Sequence, residues 1–221
     1  MYVTARAAMA VNRPREAIEA LSGGRLASHA PRGASFYWGW LLHAEARHLV
    51  GDYEDELDLV GRAIALFPDV LIFRARQAGA LIALGRVDEA LAVIGEVLPM
   101  SGRSGDPGSV MLTVAYELRA HGHREEGLAM ARRAVQWIES HRPAEGPSES
   151  WRVSLAEAHY AAEDWTASHE LWTELEAENP EDRVVLGWLG VLAARRGQDD
   201  SCYDLSGFQR RFVPVDQVFI D

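Results

Sequence analysis

A turn motif recurring at nearly constant spacing constrains this chain more than any other feature of its sequence. It reads Gly51-Asp52-Tyr53-Glu54-Asp55, then Gly85-Arg86-Val87-Asp88-Glu89-Ala90, then Gly122-His123-Arg124-Glu125-Glu126. A degenerate copy stands at Glu163-Asp164-Trp165, and Gly197-Gln198-Asp199 follows it. The successive intervals are 34, 37, 41 and 34 residues. A period of this size marks one supersecondary unit repeated along the chain. The segments beside each turn are amphipathic: Val87, Ala90, Leu91, Ile94, Val97 and Leu98 form an i, i+3, i+4, i+7 stripe that buries one helix face. Alternating β-branched runs are nearly absent and Ala, Leu, Glu and Arg dominate, so the residue choice favours helix. An all-α chain of antiparallel helix pairs is expected.

Counting each repeat from Tyr37, Leu71, Gly108, Glu149 and Arg183, the eighth residue is Ala44, Ala78, Ala115, Ala156 and Gly190. The twentieth is Glu56, Ala90, Gly127, Ser168 and Cys202, and the twenty-seventh is Ala63, Val97, Ala134 and Leu175. Small residues there let two helix axes approach, where a large side chain would hold them apart.

In these small positions, in its Gly-Asp-Tyr-like turn and in its closing prolines, Pro68 and Pro180, the chain resembles the tetratricopeptide repeat. Trp40 matches the aromatic fourth position of that repeat, and Leu189-Gly190 its Leu-Gly pair. The resemblance covers residues 36–198 and implies a right-handed α-solenoid, a TPR-like superhelix of five to six helix pairs. Residues 1–35 read as a degenerate N-terminal helix pair and loop, with Ala17 and Leu21 the remnant of an earlier repeat. Residues 199–221 read as an atypical tail, because Tyr203, Leu205, Phe208 and Phe212 make no helical stripe and Val213-Pro214-Val215 looks extended. Glu56 departs from the family's small twentieth position, which implies either a shifted contact or a carboxylate that reaches solvent along its own stem. Ser101 to Gly108 and His141 to Ser148, rich in Gly, Pro and Ser, read as longer loops between pairs.

Charge and cysteine content narrow the function classes. A net charge of −11 repels a phosphate backbone, and the arginines are scattered rather than gathered into a basic stripe. Nucleic acid is therefore disfavoured as a partner, and with it an RNA-binding helical repeat. All basic residues are arginine, and asparagine occurs only at Asn12 and Asn179, a bias expected of a GC-rich bacterial genome. Cys202 is the single cysteine, which excludes an intrachain disulfide, argues against a thiolate zinc site and fits a reducing cytoplasm. Neither a signal peptide nor a membrane-spanning run is evident.

No catalytic or metal-binding constellation emerges from residue spacing. His43 and His48 are five apart and point to different helix faces, unlike an H-E-x-x-H pair. His121 and His123 flank a turn glycine and read as solvent-exposed. Gly102-Arg103-Ser104-Gly105 only approaches a nucleophile elbow and lacks the preceding strand that motif needs. Glu125, Glu126, Glu174 and Glu176 read as solvated charges on polar helix faces. Cys202 lacks a His or Asp partner, so a small-residue packing role is expected of it. The chain reads as no enzyme, with no catalytic residue, no metal and no cofactor; an enzyme on a helical toroid would need convergent acid and base groups.

The resemblance implies that the first helix of each pair lines a concave, ligand-facing surface. Its usual contact positions hold Trp38, Glu45 and His48, then Tyr116 and Arg119, then Glu157 and Tyr160, with Arg76 and Trp188 at neighbouring sixth positions. Aromatic and arginine side chains of this kind anchor protein interfaces, although a tryptophan at helical spacing is also ordinary core. The lysine and asparagine clamp by which some family members hold a peptide carboxylate is missing, since the fifth position carries Leu41, Ala75, Leu112, Val153 and Gly187. The expected function is a scaffold or sensor module that binds a partner protein or peptide. The alternative is a regulatory repeat fragment of a larger bacterial signalling protein, beside a kinase or DNA-binding domain.

Overall fold

The structure, a computed structural model, describes residues 1–22, 37–102 and 104–195. The atypical tail, Cys202 and the glycine turn at Gly197 lie outside the described residues. Within them the chain forms eleven α-helices: α1 (Tyr2–Ala10), α2 (Pro14–Ser22), α3 (Tyr37–Val50), α4 (Tyr53–Leu66), α5 (Ile72–Ala83), α6 (Val87–Val97), α7 (Pro107–Ala120), α8 (Arg124–Ser140), α9 (Glu149–Ala161), α10 (Trp165–Glu178) and α11 (Arg183–Arg195). No strand occurs among the described residues, and none of their helices is long and apolar enough to cross a membrane. The chain forms two compact units that divide after Ala134, within α8.

Tight turns join the helices into antiparallel pairs, α1 with α2, α3 with α4, α5 with α6, α7 with α8 and α9 with α10. Each turn passes through one residue of left-handed backbone: Asn12 (φ 57°), Gly51 (81°), Gly85 (75°), Gly122 (90°) and Glu163 (63°). The amide just after it donates to the carbonyl five residues back: Arg13 to Ala8, Asp52 to Arg47, Arg86 to Leu81, His123 to Leu118 and Asp164 to His159. One helix-terminating bond pattern thus closes five turns and satisfies carbonyls that the helix end would leave open. Glycine takes this backbone without penalty and asparagine tolerates it, whereas glutamate pays about 1–2 kcal/mol. Glu163→Gly is therefore expected to raise stability by about 1 kcal/mol, the lost attraction between Glu163 and exposed Arg195 subtracting little. A urea midpoint that falls in this variant would refute the strain argument.

The small positions are packed as their residue types require. Ala44, Ala78, Ala115, Ala156, Ala90, Ala63 and Ala134 are fully buried. In the α7–α8 pair the approach is so close that a β-carbon on Gly127 would lie 2.9 Å from the Ala115 carbonyl oxygen and 2.6 Å from Arg119 Cγ. In the α9–α10 pair the equivalent Ser168 is buried and donates its hydroxyl to the Ala156 carbonyl at 2.8 Å, which satisfies the polar group that replaces a hydrogen. Glu56 corrects the solvent-reaching alternative: it is wholly buried, and its carboxylate turns to His48. The loop before α7 is also shorter than its composition suggests. Asp106 and Ser109 form a capping box and Pro107 takes the first helical position, so Pro107 and Gly108 begin a helix.

Candidate functional site

In the first unit, the first helices of successive pairs bring their polar side chains together. Glu45 on α3 meets Arg76 on α5 at 4.0 Å. His48, in the last turn of α3, places Nδ1 2.8 Å from Glu56 Oε2 on α4 and Nε2 3.5 Å from Glu117 Oε2 on α7. Glu117 reaches past Gly79 of α5, where an added β-carbon would sit in ordinary van der Waals contact with Glu117 Cγ at 3.4 Å. One turn further along α7, His121 Nε2 lies 3.8 Å from the same Glu117 oxygen. The Tyr53 ring packs edgewise on both imidazoles, with centroids 5.2 Å from His48 and 6.1 Å from His121.

The electrostatics follow from this geometry. Glu117 and Glu56 together raise His48 to about 9, and the imidazole in turn holds Glu117 below the usual carboxylate range. Burial pushes the Glu56 carboxyl up against the pull of His48. Glu56 Oε1 finds no hydrogen-bond partner. His121, expected in open solvent, is instead half-buried, its side chain about a quarter exposed.

The aromatic members of the expected binding face divide. Trp38 and Tyr116 are exposed, at 47% and 37%, and Trp38 stacks on Tyr37 at 4.7 Å. Arg119 is half-buried, its stem laid against Gly127. Arg76 is partly exposed and faces Glu45 at 4.0 Å. In the second unit Trp188 is half-buried, stacked on the fully buried Trp172 at 5.5 Å and touched edgewise by Tyr160 at 5.0 Å. Glu157 is half-buried, and burial raises its carboxyl. Around His48, which repeat position selects, the structure gathers Glu56, Glu117 and His121, which it does not, because their partners come from different repeats.

No family model matches the chain, and no curated protein matches it. Among solved structures it is similar to a tetratricopeptide repeat protein from Parabacteroides merdae, at 13% identity over 88% of this chain and 71% of that one, with a TM-score of 0.46. It is also similar to the TPR-like repeats of a Podosopora anserina putative kinesin light chain, at 17% identity over 90% and 95% with a TM-score of 0.48. A third similar structure is the human IFIT1 dimer with m7Gppp-AAAA, at 13% identity over 90% and 46% with a TM-score of 0.47. The repeat character rests on the chain's own residues: buried alanines at the eighth position, small residues facing them, and one left-handed turn closing each pair. By these residues, the chain is built of tetratricopeptide-like helix pairs.

Proposed function

We propose that the chain is a protein-interaction module that binds a partner protein or peptide on the faces that the first helices form within each unit, among residues 36–198. The observation that supports this most is the exposure of two large aromatic side chains, Trp38 and Tyr116, on α3 and α7. Both helices also present half-buried polar groups, Glu45 and His48 on one and Arg119 on the other. Large amphipathic rings with polar neighbours are the usual energetic centres of protein interfaces. Tyr160 and Trp188 are proposed to serve the same role in the second unit, with Glu157 beside them. The single cysteine fits work in a reducing compartment such as a bacterial cytoplasm.

The test is photo-crosslinking. A benzoylphenylalanine placed at Tyr116, and separately at exposed Arg132 on the second helix α8, is irradiated in lysate of the source organism, and adducts are identified by mass spectrometry. The partner found at Tyr116 is then purified and titrated against wild type and against Trp38→Ala/Tyr116→Ala, whose fold is verified by circular dichroism. A loss of about tenfold or more in affinity is expected if these rings are interface anchors. Equal affinity for both proteins, or adducts formed only from Arg132, would refute this reading.

A further inference from the structure

The polar cluster between α3 and α7 has the donor set of a metal site. His48 Nε2, Glu117 Oε2 and His121 Nε2 lie within 4.8 Å of one another, two imidazoles and one carboxylate. In a tetrahedral site with ligand bonds near 2.1 Å, donors stand about 3.4 Å apart. Two of the three separations, 3.5 and 3.8 Å, are already close to that. We propose that these three side chains bind a divalent transition-metal ion of the Zn2+ class, with a fourth position open to solvent.

A second, independent feature points the same way. Glu56 is a wholly buried carboxylate set on His48 Nδ1, with its other oxygen unpartnered. A carboxylate on the far nitrogen of a ligand histidine fixes the tautomer that presents Nε2 to the metal and raises its basicity. It also adds a buried negative charge. Arg76 offsets part of this charge from a distance while it faces Glu45 at 4.0 Å, and a divalent cation between the imidazoles and Glu117 would neutralise the remainder. Tyr53, packed edgewise on both rings, holds them in place. The donors are 17%, 20% and 26% exposed, so an ion can enter from solvent without opening the core. Nitrogen-rich donors of intermediate softness select Zn2+ or a neighbouring transition ion over Mg2+ or Ca2+.

The test uses the whole chain, stripped with a chelator and titrated with Zn2+ in competition with a chromophoric chelator. One saturable equivalent and a rise in melting temperature are expected for wild type. His121→Ala removes a donor but leaves the His48 contacts to Glu56 and Glu117, so it is expected to weaken Zn2+ binding at least tenfold and to shrink the thermal shift accordingly. Glu56→Gln is expected to weaken it by about 10–100-fold through the outer shell. Should either variant misfold, Co2+ added to wild type provides a readout free of mutation: paramagnetic shifts of the imidazole protons of two histidines, removed by an equivalent of Zn2+ but not by excess Mg2+. No saturable uptake by wild type, unchanged uptake by folded His121→Ala, or Co2+ shifts spread over many histidines would overturn the site.

Discussion

Trp172→Ala is expected to cost the second unit about 3 kcal/mol of stability. Trp172 is fully buried, and with Ala156, Leu175, Val185, Leu189 and Leu192 it forms the core that α9, α10 and α11 share. Truncating a buried tryptophan to alanine costs about 3–5 kcal/mol in lost transfer energy and residual cavity. The stack on Trp188 disappears as well, about 0.5–1.5 kcal/mol beyond the area term. Against this, Trp172 Nε1 is buried without a hydrogen-bond partner, so removing the indole relieves a desolvated donor worth about 1–3 kcal/mol. The cavity and stacking losses are the larger. Trp172→Phe keeps most of the volume, sheds the unpaired donor, and is expected to cost under about 1.5 kcal/mol. Hydrogen exchange resolved along α9–α11 is the suitable readout, since Trp188 and Tyr160 are proposed interface residues that depend on Trp172 for their place. Unchanged protection of these helices in Trp172→Ala would refute the packing argument, and a phenylalanine variant as weak as the alanine one would refute the cavity argument.

The helix pairs were legible because two periodicities coincide in the sequence. The 3.6-residue stripe sets each helix face, and the small eighth and twentieth positions set where helices meet. The structure adds a reason for the turns that glycine alone could not give. Asn12 and Glu163 occupy the same left-handed position as Gly51, Gly85 and Gly122, so a search for glycine finds three of these five turns and reads the α9–α10 turn only by analogy. Pro107-Gly108 has loop composition yet opens a helix, since a capping box decides the boundary more than composition does. Trp38 and Tyr116 were accessible to reasoning because repeat position alone selects them. The His48, Glu56, Glu117 and His121 cluster was not. Its members come from three helices, α3, α4 and α7. Side chains converging from separate repeats leave no spacing signature, so a search for ligand pairs within one helix passes over them.

Lowering the pH from about 7 to about 4.5 is expected to destabilise the first unit by about 2–3 kcal/mol through His43 alone. His43 is 7% exposed, and its Nε2 accepts a hydrogen bond from Arg47 Nε at 3.2 Å. It lines a cavity of about 180 Å³ together with Leu21, Trp40, Leu59, Arg47 and Arg62. Burial, with the positive charges of Arg47 and Arg62, lowers it from 6.5 to about 4, against a smaller opposing pull from Asp55. The unfolded chain therefore binds a proton near pH 6.5 that the folded chain refuses until about pH 4. Between these values the unfolded state carries the extra proton, so stability falls as pH falls; above pH 6.5 both states are neutral and the contribution is flat. Carboxylates elsewhere titrate over part of the same window, and the comparison that isolates His43 is therefore with His43→Gln, which cannot be charged yet still accepts from Arg47. The difference between the two proteins in urea-unfolding free energy is expected to change by about 2–3 kcal/mol between the two pH values, always in the direction of greater acid loss in wild type. Parallel losses would mean that His43 takes its proton in the folded state without resistance, and that neither burial nor the two guanidinium groups govern it.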